Sequence, residues 1–200
     1  MNEPPRTNPL AHGLKAGVGM VLFVAALWLV QVVNAATGDA LVQYGIQPRS
    51  ASGLEGIVFA PFIHGNFAHI AANTLPLLIL GFLAAVRGTA GRFLGASAII
   101  ILVSGIGVWL TAAPGSVTVG ASGLILGYFG YLLARGLFDH QVADIVIAVV
   151  VAVFYGTLIF AVLPSAEGVS WQAHLFGLIG GVIAAWTLRR PRRAARANLI

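Results

Sequence analysis

Five polar side chains have types and spacings that could do chemistry. Ser122 sits between Gly120-Ala121 and Gly123, His174 lies 52 residues further on, and His64, His69 and Asn73 cluster upstream. A serine flanked by glycines can open a helix with its hydroxyl exposed, where unpaired backbone N–H groups and the helix dipole favour developing negative charge. A histidine that stays neutral can take the serine proton as general base. His69 and Asn73 are four residues apart and share one helical face, so both can donate to the same oxyanion. The chemistry that suits this set is nucleophilic acyl transfer. The chain has no cysteine, which excludes disulfides, thiolate catalysis and cysteine-ligated metal centres.

The elements that must position these groups follow from composition. Of 200 residues, 58% are hydrophobic and 8% charged. Soluble domains carry about 25% charged residues, so this chain cannot cover a water-facing surface and is read as an integral membrane protein. Charge-free stretches run over Ala16–Gly38, Gly56–Val86, Phe93–Ala134, Ile145–Ala166 and Gly168–Leu188. The third is too long for one helix and is broken at Thr111–Gly120 by a proline, glycines and β-branched residues. Six spans result, near 16–36, 66–86, 93–111, 121–138, 145–163 and 171–188. They form an all-α membrane protein of one domain over 1–200, with an N-terminal segment 1–15 and a basic tail 189–200. The first span is read as an anchor, because its apolar core exceeds that of a signal peptide.

Basic residues set the orientation. With the N-terminus cytoplasmic, Arg6, Lys15, Arg87, Arg92, Arg135 and the five arginines of the tail lie inside, and Arg49 alone lies outside. The net charge of +5 is thereby accounted for without nucleic acid, the tail resting against anionic lipid headgroups. Asn73, Ser122 and His174 then stand 14, 13 and 15 residues, counted inclusively, above the inner ends of spans 2, 4 and 6 at Val86, Ala134 and Leu188. At 1.5 Å per residue each is roughly 20 Å above the inner boundary, submerged but nearer the external face. The 112–120 segment must dip inward as irregular backbone, which implies a water-filled cavity. No carboxylate shares that depth: Asp139 and Asp144 are cytoplasmic, and Asp39, Glu55 and Glu167 belong to external loops. The expectation is a Ser122–His174 dyad. Gly123 and Gly127 behind Ser122, and Gly177 and Gly181 behind His174, share a small-xxx-small spacing that packs spans 4 and 6 closely enough for two short side chains to meet.

At these residues the chain resembles the rhomboid intramembrane serine proteases. The resemblance rests on His64-Gly-Asn-Phe-Ala-His69-Ile-Ala-Ala-Asn73, on Gly120-Ala-Ser122-Gly123, and on Ala173-His174-Leu-Phe-Gly177-Leu-Ile-Gly-Gly181, in that order, and covers roughly Pro48–Leu188. It implies a six-helix rhomboid-like bundle, Ser122 as nucleophile, His174 as base, and His69, Asn73 and the Ser122 N–H as oxyanion donors. His64 is implied as a supporting residue of the external loop. Cleavage of other membrane-spanning proteins without metal or cofactor is implied as well. Two features depart from the family pattern: Leu126 stands where many relatives carry an aromatic residue stacked on the catalytic imidazole, and a Trp-Arg pair of the first external loop is absent. The apolar run Ile57–Ile63 is what remains to enter the outer leaflet.

Other polar and aromatic residues receive plainer readings. Arg49 is taken as a solvated loop charge, His12 and His140 as solvated loop residues, and Phe160 and Trp171 as interfacial aromatics. Tyr155, with those two aromatics, is also placed to gate lateral entry. A zinc site from His64, His69 and His174 leaves Ser122 and Asn73 without a role, and no HExxH motif is present. A non-catalytic membrane chaperone or small transporter is the remaining alternative, although transporters tend to show internal repeats and midplane sites. One lysine against ten arginines and compact loops point to a bacterial plasma membrane with both termini cytoplasmic.

Overall fold

The computed structural model describes residues 8–164 and 169–189. Glu167, Arg6 and the tail beyond Arg189, read above as an external loop charge and cytoplasmic charges, lie outside the described residues. The described chain is an all-helical bundle whose only β pairing is an isolated antiparallel bridge between Ile46 and Thr118. The helices are α1 (Pro9–Ala36), α2 (Gly56–Phe59), α3 (Phe67–Val86), α4 (Ala90–Thr111), α5 (Ser122–Asp139), α6 (Val142–Tyr155) and α7 (Trp171–Thr187), with 3-10 turns at Ala40–Tyr44, Ala60–Phe62 and Gly156–Val162.

Local capping explains where the helices begin. The Asn8 side chain accepts the Leu10 N–H at 3.0 Å and Pro9 occupies the first turn, so α1 starts seven residues before the expected Ala16. Counting only from the last charge, Lys15, hid this signal. Thr89 accepts the Arg92 N–H at 3.2 Å and starts α4 three residues early in the same way. The fifth expected span divides: α6 is α-helical to Tyr155 and tightens into 3-10 geometry from Gly156 to Val162.

Among the described residues, four stretches are long and apolar enough to cross a membrane: α1, α3, α4 and Val142–Val162. The other two expected spans fall short, α7 by its 17 residues and α5 by the lower apolarity that Arg135 and Asp139 give its last turns. Of the two, α5 is the interior helix, whereas α7 keeps Ile179, Val182, Ile183 and Trp186 exposed. Nearly every residue of α5 from Gly123 to Gly136 is buried, and its broadest contact is with α7, which in turn packs on α4. A helix surrounded by protein needs little lipid-facing apolar surface, which explains the weaker hydropathy of α5.

Arg135 is buried. Its guanidinium is 2% exposed and donates to Asp139 at 2.9 Å, to Asp144 at 3.4 Å and to the Arg87 carbonyl at 3.0 Å. Arg87 Nε reaches Asp144 at 2.9 Å. This buried network joins the end of α3, the last turns of α5 and the first turn of α6, and α5 therefore runs on to Asp139. Arg49 is an exposed loop charge, as expected, and it also donates to the Leu110 and Ala112 carbonyls, both at 2.9 Å, at the end of α4.

Candidate active site

Three helix starts position the polar groups. Asn66 caps α3, its side chain accepting the His69 N–H at 2.8 Å, which places His69 in the first turn and Asn73 one turn deeper. Ser170 caps α7 by accepting the Ala173 N–H at 3.2 Å, and His174 follows directly. At the start of α5, Gly120 has φ +120°, a conformation closed to other residues. A Cβ there would also lie 2.7 Å from His69 Nε2. Glycine at 120 is thus required by both backbone and packing, and Ser122 becomes the first residue of α5.

Between these starts lies a cavity of about 840 Å³ lined by His69, Asn73, Ser122 and His174, together with the irregular 112–119 segment and Trp171. Asn73 and His174 are 7% and 6% exposed. Ser122 and His174 share the cavity but no hydrogen bond within 3.5 Å joins them, and the Ser122 hydroxyl has no partner among the described residues. Catalytic hydrogen bonds are commonly long before substrate binds. Asn73 Nδ2 is buried with no acceptor among the described residues, a donor held ready at some energetic cost. The first N–H groups of α5, from Ser122 to Leu124, have no acceptor there either.

Close helix approach is built from glycine. A Cβ at Gly177 would collide with the Gly123 carbonyl and come within 3.1 Å of Gly123 Cα, and one at Gly181 would meet the Gly127 carbonyl and lie 2.7 Å from Tyr131 N. The α5–α7 contact is therefore backbone against backbone immediately behind Ser122 and His174.

Three supporting groups escaped the sequence reading. The His174 Nδ1 lies 2.8 Å from the Ala161 carbonyl. A carbonyl only accepts, so Nδ1 carries the proton and Nε2 keeps its lone pair for the cavity. No side-chain signal could have revealed this partner, because it is backbone in the 3-10 turn after α6. Ser104 of α4 donates to the Ala173 carbonyl at 2.9 Å and steadies the first turn of α7. Asn34, fully buried near the end of α1, binds the His64 carbonyl. Both are polar residues inside apolar spans, a pattern that would have exposed them.

His64, expected as a supporting loop residue, lies in the connection before α3. It is 0% exposed, its Nε2 accepts the Ala121 N–H at 3.4 Å, and its ring meets the His69 ring edge-on at 5.1 Å. Burial first and the adjacent His69 second push its pKa down to about 4, so it is neutral and able to accept. Among the described residues no three His, Asp or Glu side chains are grouped to hold a metal ion.

Comparison with known proteins agrees with this architecture. A model of the Rhomboid domain matches residues 51–191. An uncharacterized protein of Mycobacterium tuberculosis is 44% identical over 200 residues, covering 96% of this chain and 83% of its own. The rhomboid protease GluP of Bacillus subtilis is 29% identical over 188 residues, covering 88% of this chain and 35% of its own. The putative rhomboid protease YdcA of the same organism is 32% identical over 128 residues, 62% of each chain. With the domain match extending from the segment before α2 to beyond α7, the chain belongs to the rhomboid family of integral membrane proteins.

Proposed function

We propose that the protein is an intramembrane serine endopeptidase that cleaves the transmembrane segments of other membrane proteins near the external face. The observation that carries this reading is the convergence of Ser122, His174, His69 and the unpaired Asn73 amide on one cavity. In this reading α1 and α3 to α7 all cross the bilayer as one domain with both termini in the cytoplasm, and the arginine-rich tail rests on anionic headgroups.

The substrate helix enters from the lipid and unwinds locally, because a helical carbonyl is already hydrogen-bonded and shielded. Ser122 Oγ attacks that carbonyl carbon while its proton passes to His174 Nε2. The tetrahedral oxyanion is held by His69, Asn73 and the Ser122 N–H. His174 returns the proton to the departing amine, the C–N bond breaks, and an acyl-enzyme remains. Cavity water, deprotonated by His174, then attacks the ester and frees Ser122. The Ala161 carbonyl holds the imidazole in the required tautomer and stabilises it when charged, a role that a carboxylate plays in triads and that compensates for Leu126. His64 supports the base of α5 through Ala121.

The test is cleavage of a single-span substrate in proteoliposomes. The wild type is expected to cut near the external end of the substrate helix. Asn73→Ala is expected to lower kcat by about a hundred- to a thousandfold, the usual effect of removing one oxyanion donor. Unchanged kcat in Asn73→Ala would remove Asn73 from the oxyanion site, and absence of wild-type cleavage across several single-span substrates would count against the protease reading.

A further inference from the structure

One buried polar cluster lies outside the cavity yet reaches the root of α5. Asn34, on α1, is 0% exposed and makes three side-chain hydrogen bonds. Its Nδ2 donates to Asp39 Oδ1 at 3.1 Å and to the His64 carbonyl at 3.2 Å, and its Oδ1 accepts the Leu41 N–H at 2.9 Å. A buried amide in an apolar helix is costly unless its polar atoms are paired, and here two pairings tie α1 to the turn that follows it and the third ties it to the connection before α3. The His64 bond matters most. That residue stands in the short connection between the 3-10 turn Ala60–Phe62 and the cap of α3, and its imidazole accepts the Ala121 N–H. The 3-10 turn just before that connection supplies the Ala60 carbonyl that accepts the Gly120 N–H at 2.9 Å. Two successive N–H groups just before Ser122 are thus held by a segment whose backbone Asn34 grips.

We propose that Asn34 is a positioning residue: by fixing the His64 backbone it fixes the His64 imidazole, which holds the Ala121 N–H and so sets the aim of the Ser122 hydroxyl. Asn34 touches neither the cavity nor a reacting group, and it acts through His64. The His64 ring also braces His69 edge-on, so a displaced His64 disturbs both the nucleophile and one side of the oxyanion site. The consequence for catalysis rests on the protease reading above, whereas the mechanical link does not.

The test separates the two. Amide hydrogen exchange at Ala121, measured on the full chain in detergent micelles, is expected to speed up at least about tenfold in Asn34→Ala while core amides of α5 stay protected. Unchanged exchange at Ala121 would overturn the proposal whatever the enzyme does. In the cleavage assay Asn34→Ala is expected to lower kcat by about ten- to a hundredfold with KM within about twofold, the response to a small misplacement of a reacting group. In His64→Ala the same Asn34 change is expected to cost nothing further, and additive losses would contradict a route through His64. Asn34→Asp combined with Asp39→Asn keeps the contacts to residue 39 and to the Leu41 N–H but removes the donor to the His64 carbonyl. This exchanged pair is expected to regain thermal stability without regaining kcat. Full recovery of kcat would make Asn34 a loop cap only, and the exchanged pair keeps the question decidable if Asn34→Ala fails to fold.

Discussion

Alanine at position 122 is expected to lower cleavage of a single-span substrate by at least about a thousandfold while leaving thermal unfolding unchanged. The two halves of that expectation have separate grounds. The Ser122 hydroxyl makes no hydrogen bond to another described residue, so its removal unpairs nothing in the resting protein. In the reaction it supplies the attacking oxygen, for which alanine has no substitute. His174→Ala is expected to fall to a similar floor, and the double variant to lie no lower, because the two side chains act as one unit. Activity of Ser122→Ala within about tenfold of wild type would point to another nucleophile or to a directly activated water.

A second large effect is expected from a single methyl group. Gly177→Ala would drive a Cβ into the Gly123 carbonyl, and neither backbone can yield as a flexible side chain would. Helices α5 and α7 must separate or slide at the level of Ser122 and His174. Overpacking of this kind costs about 1 to 3 kcal/mol in stability, and displacement of reacting groups by about 1 Å costs about a hundredfold in rate. Gly177→Ala is therefore expected to lose at least about a hundredfold in kcat and to melt at lower temperature. Gly19→Ala in α1 is the control, since its Cβ meets nothing within 4 Å and alanine is the better helix former. Equal activity and stability of Gly177→Ala and Gly19→Ala would refute the close-packing account of the site.

The residues that line the cavity were legible because they are polar groups in an otherwise apolar chain, and glycine spacing announced the contact that brings two of their helices together. What could not be read was of two physical kinds. Backbone groups leave no mark on the sequence, so the Ala161 carbonyl that orients His174 was invisible, as was the 3-10 turn that presents it. The partners of charges near an expected boundary were the second kind. Arg135 pairs with Asp139 one turn on and with Asp144 at the start of α6, and Arg49 also reaches the distant helix-end carbonyls of Leu110 and Ala112, partners that only the folded chain shows. Helix starts at Pro9 and Ala90 were marked by Asn8 and Thr89, but counting apolar length overrode those capping signals.

The most direct measurement of the central claim is covalent labelling with a fluorophosphonate, followed by mass mapping of the modified residue. The account predicts one phosphonylated site, Ser122, formed in wild type and at least about a hundredfold more slowly in His174→Ala, because the imidazole must take the proton as the bond forms. Labelling at another residue, or labelling of Ser122 at an undiminished rate without His174, would contradict it.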